Sequence, residues 1–259
     1  KRLCERGNLT EVITMEGSEI KSSAPLGISP GNTIILANEP QWVICPSCQQ
    51  EVAYLDEAGN CYECSEAENL KRRVAINLKE KEEKLFDGVE KALKEFSFEK
   101  FRVTEGTKEA VEAAIGFQSN RDNLFLWGSA GVGKTHLAYS IARAQIKSGG
   151  TSAKIIRTTE LLRGLRGTTG TEEDTAIKKY STIDCLVIDD LGVGRATEYA
   201  ITILYEIIDK RYMSYKNGLI ITSNLSLNDM SKKIEDDRLL SRLAAMCKVV
   251  RLTGDDMRL

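Results

Sequence analysis

The sequence predicts an α/β fold in which a mostly parallel sheet is covered by helices on both faces, with a small cysteine-rich module near the N-terminus. Two observations lead to this prediction. From residue 107 onwards, short apolar runs alternate with amphipathic segments of helical spacing, a pattern typical of βαβ units. Before that region, four cysteines stand in two C-x-x-C pairs, which is typical of a metal-binding module.

Composition is ordinary for a globular protein and excludes some classes of function. Charged residues make up 29% of the 259 residues, and the formal net charge is -2. No general basic field indicates nucleic-acid binding, which would need a local patch. No apolar run approaches the ~18 residues of a membrane span, and residues 1–20 lack the apolar core of a secretory signal. Because four of the seven cysteines form the two pairs, we expect a reducing, cytoplasmic compartment.

The first residues, 1–40, are expected to form an N-terminal extension with little regular structure. They contain three of the four prolines and several Gly and Ser residues. Short alternating pieces at Glu11–Thr14 and Thr33–Leu36 are candidate strands. The role of this extension stays open.

Residues 41–66 are predicted to be a zinc ribbon. Two C-x-x-C knuckles flank a spacer of twelve residues that is long enough for a hairpin. Four thiolates close a tetrahedral Zn²⁺ site without an open position, so the metal would be structural. A redox pair fits less well, because it needs one C-x-x-C at a helix N-terminus. Whether the ribbon only stabilises the fold or also docks protein or single-stranded nucleic acid stays open. The predicted ligands are Cys45, Cys48, Cys61 and Cys64.

Residues 67–96 are predicted to be a helical linker, and residues 97–259 to be the α/β domain. Leu70, Val74 and Leu78 recur every four residues among many Lys and Glu, which indicates a solvated helix. Thr107 is expected to cap a helix that ends near Phe117. Further strands are predicted at residues 123–127, 153–158, 183–188, 219–224 and 248–252, and further helices at 136–145, 160–165, 197–215 and 238–246, with a short helix capped by Ser226.

The stretch Gly128–Thr135 matches the eight-position phosphate-binding P-loop pattern. It follows an apolar run and precedes a helical pattern, which is the strand–turn–helix context that the motif requires. Glycines let backbone N–H groups approach phosphate oxygens, and the helix N-terminus adds its positive dipole end. Lys134 is predicted to reach the β- and γ-phosphates, and the Thr135 hydroxyl to complete a Mg²⁺ shell. The predicted nucleotide contacts here are Gly128, Ser129, Ala130, Gly131, Val132, Gly133, Lys134, Thr135 and His136.

Polar residues at the ends of other strands are expected to complete the site. Asp189 ends an apolar strand and is predicted to hold Mg²⁺ directly or through water. Asp190 would orient the attacking water. Aspartate is one methylene shorter than the glutamate that many such ATPases have at this place, so we expect slow turnover. Asn224 could also position this water, or could simply end its strand. His136 is expected to pack in the sheet rather than to act as a base.

Two arginines lie one helical turn apart late in the chain, at Arg238 and Arg242. An arginine there could stabilise transition-state charge on the γ-phosphate of a neighbouring subunit. A surface ion pair with Asp236 or Asp237 explains the presence of an arginine in this helix equally well.

These pieces, in this order, resemble the AAA+ domain of DnaC-type helicase loaders, which share their core with IstB-like ATPases. The resemblance implies that Asn224 is the sensor 1 residue, that Arg242 is the arginine finger and that Arg258 is a sensor 2 arginine. It also implies that the nucleotide lies between Phe101, the P-loop and Arg258. Met257 stands where the family has a tyrosine. The similar stretches are Phe98–Phe101, Gly128–Ala138, Asp189–Gly192, Leu204–Tyr212, Ile221–Ser226, Arg238–Leu243 and Gly254–Arg258.

The family resemblance implies an ATP-dependent loader of a DnaB-type hexameric helicase onto single-stranded DNA. ATP binding would assemble subunits into an oligomer, and hydrolysis would release the helicase. The expected cofactors are ATP or ADP, Mg²⁺ and Zn²⁺, and no membrane partner is expected. Three alternatives remain: an IstB-like transposition ATPase, a ClpX-like unfoldase, and a zinc-ribbon adaptor that binds nucleotide without significant turnover. The unfoldase is disfavoured because the sequence shows no aromatic-apolar-Gly pore loop.

Overall fold

The structure is a computed structural model. The residues that it describes are 43–52, 54–119, 122–149, 151–192, 197–214, 218–234 and 237–257, with the backbone of 27–28 and 34–35. The chain divides into two compact units, Lys1–Arg72 and Arg73–Leu259. The strand predicted at Glu11–Thr14 and the predicted sensor residue Arg258 lie outside the described residues.

The N-terminal unit contains two short antiparallel ribbons. Strand β1 (Gly27–Ile28) pairs with β2 (Ile34–Ile35), and β3 (Val43–Ile44) pairs with β4 (Glu51–Val52). Helix α1 (Tyr62–Leu85) begins within the predicted zinc ribbon and contains the boundary between the two units. The second cysteine pair therefore lies at the start of a helix and not in a hairpin.

The C-terminal unit is built on one parallel sheet of five strands, in the order β6-β7-β8-β5-β9. This confirms the mostly parallel sheet predicted from the alternating pattern. Strand β5, which leads into the P-loop, lies between β8 and β9. The strands are β5 (Asn123–Trp127), β6 (Ala153–Arg157), β7 (Cys185–Leu191), β8 (Gly218–Ser223) and β9 (Lys248–Arg251).

Helices cover both faces of the sheet, because β5, β6, β7 and β8 carry buried apolar residues on both sides. Leu124 and Leu126 of β5 pack in one core cluster, whereas Phe125 between them packs in the other. Helices α2 (Lys108–Ile115) and α3 (Lys134–Gly149) lie in the first cluster. The helices of the second cluster are α4 (Thr158–Leu165), α5 (Thr171–Thr182), α6 (Glu198–Ser214), α7 (Leu227–Ser231) and α8 (Asp237–Met246).

The structure departs from the local expectations in three places. Thr107 is the N-cap residue of α2 as predicted, but its side chain does not bond to that helix and instead forms a capping box with Thr104 around a short 3₁₀ turn. Helix α5 was not expected, although an acidic first turn and the buried Ile177 are signals of an amphipathic helix. Strand β7 does not end before Asp189 but continues through it to Leu191.

Candidate functional site

The P-loop joins β5 to α3 and has the backbone conformation that the pattern requires. Three of its glycines have positive φ: Gly128 at 154°, Gly131 at 81° and Gly133 at 96°. Residues with a Cβ are strained at these φ values, so the loop conformation requires glycine at these positions. Strand, loop and helix together confirm the strand–turn–helix context of the predicted motif.

The same glycines also admit neighbouring chain segments against the loop. A Cβ on Gly128 would lie 2.1 Å from the carbonyl oxygen of Leu252, and one on Gly131 would lie 2.0 Å from the Asp256 carboxylate. The backbone N–H of Met257 donates to the carbonyl of Gly131 at 3.1 Å. Residues 252–257 therefore form a strap that runs along the P-loop. We had not predicted the position of Asp256, because nothing local in the sequence indicates this contact.

Lys134 is buried at the start of α3, and its ammonium group turns back into the loop. Its Nζ donates to the carbonyl oxygens of Gly128 at 2.9 Å and Ser129 at 2.6 Å. These bonds hold the positive charge inside the loop, where the backbone N–H groups of a P-loop gather phosphate oxygens.

A β-bulge in β7 places two carboxylates at the edge of the sheet beside the P-loop. Ile188 pairs with Ile221, and Leu191 pairs with Ser223, so Asp189 and Asp190 together oppose the single residue Thr222. Strand β8 borders both β7 and β5, and the Gly128 N–H donates to the Ser223 carbonyl at 3.2 Å. The carboxyl ends of β5, β7 and β8 thus lie side by side, as in other parallel sheets that bind ligands at that edge.

Asp189 is almost fully buried and accepts two hydroxyl hydrogen bonds on one oxygen. Its Oδ1 lies 2.9 Å from Thr135 Oγ1 and 2.5 Å from Thr222 Oγ1. Burial raises the pKa of this carboxyl group, and the Thr222 hydrogen bond lowers it. A buried carboxylate beside a P-loop hydroxyl supplies the oxygen donors that Mg²⁺ prefers, so these residues fit the expected metal ion.

Asp190 and Asn224 lie at the C-terminal ends of the neighbouring strands β7 and β8. Asp190 is partly exposed, and its φ of 58° lies in the left-handed region, which Asp tolerates better than most residues do. Asn224 is exposed and directly follows the end of β8. The structure therefore brings Lys134, Thr135, Asp189 and Asn224 to one edge of the sheet, with Asp190 beside them.

His136, near the start of α3, packs against Phe101 and Phe96. The His136 ring stacks on Phe96 at 4.3 Å and meets Phe101 edge-on at 5.2 Å between centroids. His136 Nε2 lies 2.8 Å from the Ser97 carbonyl oxygen, and burial lowers the pKa of this histidine. A Cβ on Gly133 would lie 2.6 Å from the Phe101 ring. His136 thus packs against residues 96–101 and not in the sheet, and Phe101 adjoins Gly133 of the P-loop.

The two arginines of α8 pack on aromatic rings of α6. The guanidinium carbon of Arg238 lies 5.0 Å from the ring centroid of Tyr205, and that of Arg242 lies 4.6 Å from Tyr212. Arg242 Nε also donates to Asp209 at 2.7 Å, and this hydrogen bond raises the pKa of the guanidinium group. Arg242 therefore forms an ion pair with Asp209 of α6, while its sequence neighbour Asp236 lies outside the described residues.

In the N-terminal unit, the four predicted zinc ligands converge. The Sγ atoms of the four cysteines all lie within 4.8 Å of one another, and those of Cys48 and Cys61 are 3.8 Å apart. A tetrahedral site with Zn–S bonds of ~2.3 Å requires sulfur separations of ~3.8 Å. The cluster therefore fits Zn²⁺, although one of its pairs lies at a helix N-terminus.

The surroundings of the cysteines favour the thiolate of Cys45 and oppose that of Cys64. Backbone N–H groups of Cys61 and Cys48 lower the pKa of Cys45 to about 6, whereas the thiols of Cys61 and Cys48 raise the pKa of Cys64 to about 12. Crowded sulfurs of this kind are stabilised by a divalent cation, which lets all four bind as thiolates.

Comparison with protein families matches residues 43–259 to the model of the IstB-like ATP binding proteins. The ATP-binding protein of insertion sequence IS232 from Bacillus thuringiensis subsp. berliner is 29% identical over 175 residues, which are 65% of this chain and 68% of that relative. The replicative helicase loader DnaC of Escherichia coli K12 is 31% identical over 156 residues, or 57% of this chain. The match covers only 62% of that DnaC.

Solved structures share the fold. The crystal structure of the DnaC helicase loader has a TM-score of 0.55 at 21% identity, over 63% of this chain and 100% of that chain. The replication initiator DnaA bound to AMPPCP and single-stranded DNA has a TM-score of 0.53 at 23% identity, over 62% of this chain and 50% of that chain. In the part of this chain that the structure describes, no helix is long and apolar enough to cross a membrane.

Proposed function

The chain belongs to the family of IstB-like ATP-binding proteins, and from this membership we propose an AAA+ ATPase that loads a DnaB-type hexameric helicase onto single-stranded DNA. The observation that carries the ATPase part is the convergence of the P-loop with the buried Asp189, whose carboxylate is hydrogen-bonded to Thr135. A phosphate-binding loop and a buried metal-binding carboxylate are the two parts that ATP hydrolysis needs first. The loader function is inferred from the DnaC relatives.

In this proposal the P-loop backbone and Lys134 bind the phosphates of ATP, and Phe101 and Arg258 flank the nucleotide. Thr135 and Asp189 would hold Mg²⁺, which supplies positive charge to the β- and γ-phosphates. The carbonyl oxygens that now hold Lys134 would release it towards the nucleotide.

Hydrolysis would depend on water placement and on a second subunit. Asp190 and Asn224 would orient the attacking water, while Arg242 of a neighbouring copy would stabilise charge on the γ-phosphate. Because Arg242 is bonded to Asp209 of its own chain, it would have to leave this partner when subunits assemble. We therefore propose slow turnover in the isolated chain, stimulated by a partner or by DNA.

The zinc module would be the surface that meets the helicase. Cys45, Cys48, Cys61 and Cys64 would hold Zn²⁺ as a structural ion, which leaves the surrounding side chains free to dock. Several of these are exposed and apolar or aromatic, as contact surfaces require: Ile44, Tyr54 and Tyr62. A loader of this kind acts in the cytoplasm.

A second candidate function is that of an ATPase that assists transposition. It is favoured by the relative from insertion sequence IS232, which matches a larger share of this chain than DnaC does, 65% against 57%. Both candidates use the same ATPase core, so the partner protein distinguishes them.

Capture of a purified DnaB-type helicase by this chain tests the proposal, with ATP or ADP and with or without a zinc chelator. We expect capture that requires zinc and changes with the nucleotide. Cys48→Ser removes a predicted zinc ligand and should abolish capture. Cys185→Ser is its control for the loss of a thiol, because Cys185 is a buried cysteine of the sheet outside the cluster. Absence of capture under every condition, with ATP-dependent DNA binding retained, would favour the transposition ATPase.

A further inference from the structure

Thr222 lies at the centre of the bulge that carries the two carboxylates. It is fully buried in β8, directly after the apolar run Leu219–Ile221, and it faces both Asp189 and Asp190 in the strand register. A bulge leaves one residue outside the regular ladder of backbone hydrogen bonds. Here the side chain of Thr222 supplies the missing acceptor, because its Oγ1 accepts from the Asp190 N–H at 2.9 Å.

The same hydroxyl group also fixes the orientation of the Asp189 carboxylate. An N–H group can only donate, so the Thr222 oxygen must accept from Asp190, and its single hydrogen is available to Asp189. This hydrogen points at Asp189 Oδ1, 2.5 Å away. One hydroxyl group thus connects the backbone of Asp190 to the side chain of Asp189, and Thr135 donates to the same oxygen from the P-loop side.

We propose that Thr222 is a positioning residue that holds Asp189 and Asp190 in their working geometry through these two hydrogen bonds. The inference rests on the proposed function, since it assigns Asp189 to the metal and Asp190 to the water. Thr222 acts through the two carboxylates and does not touch the nucleotide.

The backbone at Asp190 explains why such support is needed. Its φ of 58° is unfavourable for a residue with a side chain, so a local contact has to stabilise it. The N–H of Asp190 is the group that this contact holds. Without it, Asp190 would relax towards ordinary strand geometry, and its carboxylate would move away from the position beside Asp189.

Valine is the substitution that separates this role from packing. Val has nearly the shape of Thr and an equal or higher preference for strands, but it can neither accept nor donate. A residue that only fills space should therefore tolerate Thr222→Val. A positioning residue should lose function in Thr222→Val and regain it in Thr222→Ser, which keeps the hydroxyl group.

The test measures binding of a fluorescent ADP analogue with and without Mg²⁺, together with single-turnover ATP hydrolysis. In Thr222→Val we expect metal-free affinity to stay within about twofold, while the gain in affinity from Mg²⁺ and the hydrolysis rate fall by about 10–100-fold, as for other residues that orient metal ligands. Thr222→Ser should remain within about threefold of the wild type in the gain from Mg²⁺ and in the hydrolysis rate, because it keeps the hydroxyl group that orients the carboxylates.

Ile221→Val is the matched control, because Ile221 is buried in the same strand and lies on the face opposite to Thr222. It should lower stability without changing the effect of Mg²⁺. A Thr222→Val protein that matches the wild type in Mg²⁺ dependence and hydrolysis overturns the inference and leaves the proposed function intact. A wild-type protein that binds no nucleotide overturns the proposed function itself. Should Thr222→Val not fold, Thr222→Ala carries the same comparison.

Discussion

At the scale of single residues, Gly131 shows that the P-loop sequence serves two contacts at once. Its φ of 81° is needed by the loop, and the absence of a Cβ leaves room for the Asp256 carboxylate of the strap. A phosphate chain is negatively charged, so this carboxylate and the nucleotide repel each other at short distance. In our proposal the phosphates lie against the same glycine as the strap.

We predict that Gly131→Ala weakens nucleotide binding by at least about tenfold, because a left-handed alanine costs ~1–2 kcal/mol and its Cβ would overlap Asp256. Isothermal titration with ADP measures the loss. Asp256→Ala in the same chain should remove the overlap but not the backbone strain, and so restore affinity only in part. Gly164→Ala is the control: Gly164 lies in α4 with open space around its Cβ position. Full affinity in Gly131→Ala would contradict this account of the loop.

Asp190 is the residue whose proposed role depends most on its backbone. Asn tolerates the left-handed conformation about as well as Asp does, so Asp190→Asn removes the charge and keeps the fold. We predict that hydrolysis falls by about 10²–10⁴-fold, whereas ATP affinity stays nearly unchanged. Asp184→Asn is a matched control, because Asp184 precedes the opposite end of β7 and accepts from the Ser152 N–H. An equal loss of hydrolysis in both variants would argue against a role for Asp190 with water.

At the scale of elements, Arg211 ties α6 to α5 and to the N-terminal ends of β7 and β8. It is 1% exposed, and burial lowers the pKa of its guanidinium group to about 10. Its Nη1 donates to the carbonyls of Tyr180 at 2.8 Å and Ile183 at 2.9 Å, and its Nη2 donates to Gly218 at 2.5 Å. One side chain thus satisfies the end of α5, the turn into β7 and the start of β8.

We predict that Arg211→Met lowers the free energy of unfolding by ~3 kcal/mol or more, because each buried carbonyl left without a donor costs ~1–3 kcal/mol. Arg211→Lys should lose somewhat less stability than Arg211→Met, because the lysine ammonium group still donates hydrogen bonds. It should not match the wild type, because lysine lacks the planar fork that reaches several acceptors. Urea denaturation followed by circular dichroism measures both. The neighbouring Lys210→Met should change stability by no more than ~0.5 kcal/mol, since Lys210 is exposed and pairs with Glu206. Equal effects at the two positions would mean that these carbonyl contacts contribute little.

Local patterns in the sequence predicted the parts of the fold and site that depend on near neighbours. The P-loop, the cysteine pairs and the strand–helix alternation are of this kind, and the structure has all three. The contacts of Arg211, Thr222 and Asp256 could not be predicted, because their partners lie on other elements. The bulge at Asp189 was missed for the same reason, since it is defined only by the register of β7 against β8. The signal of this bulge in the sequence was the hydroxyl group of Thr222, which directly follows the apolar run Leu219–Ile221 of β8.

At the scale of the whole molecule, the described structure brings the P-loop, Asp189 and Asn224 to one edge of the sheet, whereas Arg242 lies on α8. This side chain packs on α6, where it is bonded to Asp209 and stacked on Tyr212. In our proposal its target is the nucleotide of a neighbouring copy. Hydrolysis would then belong to the assembly and not to the chain, and turnover per chain should rise with protein concentration.

We predict that Arg242→Ala abolishes hydrolysis and leaves ATP affinity nearly intact, because a finger from another chain acts mainly on the transition state. Mixing Arg242→Ala with Asp190→Asn should recover part of the activity, since an interface can then combine an intact Asp190 with an intact Arg242. Arg238→Ala, one turn earlier on α8 and stacked on Tyr205, should keep more activity than Arg242→Ala. Failure of the mixture to exceed the sum of its components would place Arg242 in a role within its own chain. Recovery would show that the complete active site exists only between two copies, so that ATP hydrolysis reports on assembly.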